Sequence, residues 1–133
     1  MSRFQFAISS GPESVRQAGV VESDSFDEAV VLVSDAIVFA NSKKIVELLV
    51  DSTALTGFPS PDTFQRFFAV TAWANTARGG LRVVFVARAD MIDPQKFGVT
   101  AAANRGLLCE IFTTESEAHA WLDSTKPVAT VQP

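Results

Sequence analysis

The sequence has one cysteine, Cys109, and one histidine, His119, in 133 residues. A lone cysteine excludes an internal disulfide and fits a reducing compartment, so a cytoplasmic location is expected. One histidine and one cysteine make no cluster of soft ligands, and neither a metal nor another cofactor is expected. Basic residues are in the minority: 11 Lys and Arg stand against 15 Asp and Glu, for a net charge of −4 and a pI of about 4.9. That balance disfavours nucleic acid as a partner. No apolar run reaches the roughly 18 residues of a membrane span, and the opening MSRFQFAISS lacks the apolar stretch of a signal peptide. There is no G-x-G-x-x-G, P-loop or G-x-S-x-G motif. No nucleophile stands beside a base and no carboxylate pair has acid–base spacing, so an enzyme is the class with least support. Internal repeats and low-complexity tracts are also missing.

Apolar residues, at 47% of the chain, exclude disorder. The length suits one domain, expected over residues 1–125, with a loosely ordered tail at 126–133 that holds two prolines. Such a domain buries roughly two-thirds of its unfolded surface, enough for a core.

The chain is organised around KIVELLVDSTALTGFPSPDTFQRFF. Residues 45–50 are apolar except for Glu47 and end at Asp51, which reads as a strand covered on both faces. A polar loop follows. Pro59 and Pro61 exclude regular structure there, and Ser60 and Pro61 suit the cap and first position of a helix over 62–78. Upstream, residues 3–9 alternate Phe4, Phe6 and Ile8 with polar or small neighbours, a half-buried strand. Residues 15–22 read as a short strand forming a hairpin with it. Ser25 and Glu28 form a capping box for a helix whose face is Phe26, Ala29, Val30, Val33, Ala36, Ile37 and Ala40. Further on, 81–87 and 107–112 are buried strands. Between them Asp93 and Pro94 open a helix that ends near Gly106. Thr114 and Glu117 cap a last helix with the stripe Ala118, Trp121 and Leu122. This alternation predicts an α/β layered fold, with a mixed, mostly parallel sheet of about five strands and four helices.

Four pieces together, SFDEAVVLVSDAI, IVELLVDSTALTGF, LRVVFVARADMIDPQKFGVTAAANRG and LLCEIFTTESEAHAWL, resemble the SpoIIAA-like group of bacterial proteins. Their fold is that of STAS domains, named for sulfate transporters and anti-sigma factor antagonists and related to lipid-binding Sec14-like domains. The resemblance implies a binding or regulatory module acting through protein contacts, or a carrier or sensor of a small anionic or lipidic ligand. Anti-sigma antagonists carry Asp-Ser-Ser-Gly, with a phosphorylated serine, at the start of the helix after the central strand. This chain has GFPSPDTF there. The glycine and the acidic-serine pair of that signature are missing, so the resemblance does not extend to the phosphoserine motif; Ser60, a hydroxyl near that place, stays a candidate phosphosite whose ordinary use is to cap the helix.

In an α/β sheet, ligands bind at the carboxyl ends of the strands. Asp51, Thr53 and Thr56 after one strand, with Arg88 and Lys96 after the next, are the candidate ligand residues. Asp51 also suits an Asx turn, and Arg88 an ordinary ion pair with Asp90 or Asp93. Cys109, inside an apolar strand, reads as an inert buried thiol. A helical wheel of 62–78 puts Phe64, Phe67 and Phe68 inward and Trp73 on the opposite side. Trp73 with Val31, Leu32, Val38 and Phe39 thus forms a candidate interface, either for a homodimer or covered by other parts of the same chain.

Overall fold

The structure, a computed structural model, describes residues 3–10, 20–21, 26–54, 60–78 and 80–125. Thr56, Ser25 and the 126–133 tail lie outside the described residues. In chain order the elements are β1 (Arg3–Ser10), β2 (Val20–Val21), α1 (Phe26–Ser42), β3 (Glu47–Ala54), α2 (Thr63–Ala77), β4 (Arg82–Val86), α3 (Phe97–Asn104), β5 (Leu108–Phe112) and α4 (Glu115–Ser124). The sheet order is β2-β1-β3-β4-β5, and every pairing between described strands is parallel. Four strands make its body, with the two residues of β2 beside β1. The α/β architecture and its four helices agree with the expectation. The mixed sheet and the hairpin do not. Ser9 and Ser10 pair forward with Val20 and Val21, and β-branched residues carry no signal for strand direction.

The strand order climbs one position at a time through the body of the sheet. With right-handed crossovers, that order keeps the connecting helices on one face. Accordingly α1, α2 and α3 share one core with Leu48, Val50, Val83 and Cys109. Helix α4 follows the last strand and is no crossover. It packs Ala118 and Leu122 on the opposite face, against Leu49, Val84 and Val86. The pleat sends neighbouring residues to opposite faces, so β3, β4 and β5 feed both cores and read as nearly unbroken apolar runs, while β1 gives Phe4 and Phe6 to one core only.

Strand β3 runs on to Ala54, past the expected end at Val50, because β1 continues to pair with it: Ala7 lies opposite Asp51 and Ser9 opposite Ala54, across a register shift. On the α4 face one register row holds Arg3, Glu47 and Arg82. Both oxygens of Glu47 are bound there, Oε1 by Arg3 Nε at 2.7 Å and Oε2 by Arg82. Arg82 also donates to the Leu122 carbonyl at 2.7 Å, and Arg3 to Asp123 at 2.6 Å, which ties α4 to the sheet. His119 completes this cluster, its Nδ1 2.8 Å from Arg3 Nη1.

Helix α2 corrects two expectations. Its cap is Asp62, not Ser60: Asp62 Oδ1 accepts from Gln65 N at 2.8 Å, and Gln65 Oε1 accepts from Asp62 N at 2.9 Å. This reciprocal box satisfies two end groups, where Ser60 and Pro61 offer only one side chain. Its inward face is Ala69, Val70, Trp73, Ala74 and Ala77, while Phe64 and Phe68 are 66% and 58% exposed. The phenylalanines weigh more in a hydrophobicity count. Small side chains let the helix lie close to the sheet, however, and close packing decides the orientation. Helix α3 begins three residues later than expected, since Pro94 and Gln95 form a turn first. Asp93 still serves its start, accepting from Phe97 N at 2.8 Å and from Gln95 N at 3.2 Å.

Candidate functional site

Between the sheet and the three helices, towards the carboxyl ends of β3, β4 and β5, lies a cavity of about 140 Å³. Phe85, Cys109 and Ile111 come from the sheet, and Ser52 from the end of β3. Ala29, Val30 and Val33 of α1 and Ala69, Val70 and Trp73 of α2 form the helical walls. The segment between β4 and α3 contributes Met91, Asp93 and Lys96, followed by Gly98 and Val99 of α3. Small residues where helices face one another leave the space open. A methyl group built on Gly98 would meet Val70 Cγ1 at 3.6 Å, an ordinary contact, so no clash demands glycine there.

Trp73 is fixed in the wall. Its Nε1 donates to the Val30 carbonyl at 3.2 Å, and its ring stacks on Phe85 at 5.1 Å between centroids. Burial pushes the Cys109 thiol up to about 12, with a smaller push from Glu110, so the thiol stays protonated. Asp93 is held below the usual carboxylate range by the amides of Phe97 and Gln95. Arg66 lines the cavity beside it. Its Nε donates to the Pro61 carbonyl at 2.9 Å and its Nη2 to Ser60 Oγ at 2.7 Å and the Met91 carbonyl at 3.4 Å.

Among the expected ligand residues that are described, only Lys96 lines the cavity. Lys96 Nζ is shared between Glu110 Oε1 at 2.9 Å, the Ile111 carbonyl at 3.2 Å and the Phe112 ring. Asp51 and Thr53 form the Asx turn that the sequence also allowed, with Thr53 N and Oγ1 donating to Asp51 Oδ1 at 3.0 and 2.7 Å. The pleat turns Asp51 to the face of Leu49, away from the cavity. Arg88 reaches Asp90 at 3.2 Å. Asp51 pairs with Val86, two residues before Arg88, so both stand at the same end of the sheet without sharing the cavity. Ser60 is exposed and anchors Arg66.

The candidate interface loses Trp73, which is only 8% exposed. Val31, Val38 and Phe39 do remain exposed, Leu32 is half-buried, and Phe64 and Phe68 join the outer surface with rings 4.7 Å apart. Sequence reasoning missed Arg66 and the cavity. The available signal was an arginine one turn into the helix after the central strand, within reach of the loop before it. No group of three or more His, Cys, Asp or Glu able to hold a metal occurs among the described residues. Among them, too, no helix is long and apolar enough to cross a membrane. No family model, no curated protein and no solved structure matches the chain.

Proposed function

We propose that this chain is a non-enzymatic binding module of the STAS-like kind, which takes a small, mainly apolar molecule between its sheet and three helices. The cavity of about 140 Å³ carries this reading. Well-packed cores hold few voids larger than a water molecule. An engineered apolar cavity of about 150 Å³ stays dry and binds benzene or xenon. The site therefore suits a single ring or a short branched chain better than a long acyl chain. Its place at the carboxyl ends of parallel strands is where such sheets take ligands. Among the described residues of the wall no group stands ready to react: the Cys109 thiol is protonated, Glu110 is paired with Lys96, and Asp93 is occupied by amides. A bacterial, cytoplasmic setting belongs to the same proposal and rests on the resemblance and the lone cysteine.

Thermal unfolding with and without benzene tests the reading. Benzene should raise the midpoint of the wild type. Ala69→Leu, which fills the cavity from α2, should melt close to the wild type and lose the benzene response. An unchanged wild-type midpoint at saturating benzene contradicts the proposal.

A second reading, a regulatory protein-contact module or homodimer, is favoured by the exposed Phe64 and Phe68 on α2 and Val31 and Val38 on α1. Sedimentation at tens of micromolar decides it. Self-association in the wild type that is lost in Phe64→Ser/Phe68→Ser supports the dimer, and a monomeric wild type rules it out.

A further inference from the structure

Resting on the reading of the cavity as a ligand site, we infer that its ligand is a small apolar monoanion, with a carboxylate or equivalent oxyanion held by Arg66. The inference comes from accounting for the polar groups of the wall. Ser52 Oγ donates to the Val86 carbonyl at 3.0 Å, and Trp73 Nε1 to the Val30 carbonyl at 3.2 Å. Lys96 and Glu110 satisfy each other, and Glu110 also accepts from Ile111 N at 3.0 Å. Asp93 accepts two backbone amides. Arg66 is the exception. A guanidinium has five N–H donors. Three are taken by the Pro61 carbonyl, Ser60 Oγ and the Met91 carbonyl, and the two on Nη1 have no acceptor among the described residues. All three acceptors are neutral oxygens, so the arginine has no carboxylate hydrogen-bonded to it among those residues, although Asp93 feels its charge. The two N–H bonds of Nη1 diverge, so this nitrogen offers an oxyanion a single-oxygen, charge-assisted hydrogen bond rather than a two-pronged fork.

The rest of the wall sets the other limits. Asp93 keeps its negative charge nearby, which disfavours a dianion such as phosphate. Beyond Arg66 the described surface is largely apolar with a protonated thiol, and its other charged groups, Asp93, Lys96 and Glu110, are already hydrogen-bonded, which leaves a second charged group little to bind. The volume admits about as much as one aromatic ring. Benzoate has this shape and charge, and benzyl alcohol is its neutral counterpart.

Isothermal titration of the full chain with benzoate, benzyl alcohol and inorganic phosphate tests the assignment. Benzoate should bind about tenfold or more tightly than benzyl alcohol, the usual size of a charge-assisted hydrogen bond, and phosphate should give no heat of binding. Arg66→Gln should abolish the preference for benzoate over benzyl alcohol. Arg66→Lys should keep part of the preference. Equal wild-type affinity for benzoate and benzyl alcohol overturns the assignment to Arg66 and leaves the cavity as an apolar site. Tighter binding of phosphate overturns the apolar part. Absence of binding by both organic probes overturns the inference, and the benzene response then tells whether the cavity reading falls with it. The wild-type ratio decides the matter even if Arg66→Gln does not fold.

Discussion

Trp73 fills the gap between α1, α2 and the sheet, bonded to the Val30 carbonyl and stacked on Phe85. Removing such a side chain costs both its transfer from water and the cavity left behind. Trp73→Ala should therefore lower stability by about 3–5 kcal/mol, seen as a lower urea midpoint. A change confined to oligomeric state, with the midpoint intact, would restore Trp73 to the surface. At the opposite wall, Cys109 has a thiol pushed up to about 12 by burial. An ordinary thiol ionises near pH 8.5. The native state thus holds this proton more tightly than the unfolded state, and the contribution of Cys109 to stability falls as pH rises from about 8.5 towards 12. At pH 8 the thiol should react with a thiol-specific reagent only as fast as the chain opens. Rapid stoichiometric labelling of the native protein would show an open, ionisable thiol. Cys109 was legible as inert from its apolar strand. Trp73 was not, because both sides of its helix are apolar and only packing distance separates them.

At the level of elements, α4 is fastened by charge as well as by Ala118 and Leu122. Burial raises the pKa of the Glu47 carboxyl, but hydrogen bonds from Arg3 and Arg82 outweigh that and hold it below its ordinary 4.5. A lowered carboxylate pKa contributes stability that is fully present above the unfolded value and lost as pH falls through the folded one. The wild type should lose stability below about pH 4.5, and Glu47→Gln should start less stable and lose less in that window. Glu47→Ala leaves Arg82 buried without its carboxylate and should cost about 3–5 kcal/mol by chemical denaturation. A cost near zero would mean that the cluster is solvated. Strand β5 ends the sheet, yet its backbone at Ile111 is occupied: the N–H donates to Glu110 Oε1 and the carbonyl accepts from Lys96. Capped edges resist pairing with other chains. Lys96→Ala/Glu110→Ala should scatter more light on standing at neutral pH, with little change in the urea midpoint, since half-exposed ion pairs contribute little. An unchanged scattering signal would remove this role. Neither arrangement was visible in the sequence. Glu47 and Arg82 are single polar residues at strand starts, and only register brings them together.

For the whole molecule, the alternation of strands and helices was legible because each element carries its own period and cap: the α1 face, the Thr114 cap of α4 and the apolar β4 and β5 all stand where the pattern placed them. What spacing leaves open is the face α2 turns to the sheet and the direction of β2, and the cavity wall depends on the first of these. Its walls are mostly apolar side chains that carry no chemical signature, and Arg66 stands out only once the residues before α2 and α3 are folded beside it. The measurement that tests this account most directly is a heteronuclear NMR titration of the labelled chain with benzoate. Saturable shifts should cluster on the amides of Val33, Val70, Phe85, Gly98 and Ile111, with the outer surface of α4 unchanged. A spectrum unmoved at millimolar benzoate, or shifts gathered around the exposed Phe64 and Phe68 instead, would contradict a ligand site between the sheet and its three helices.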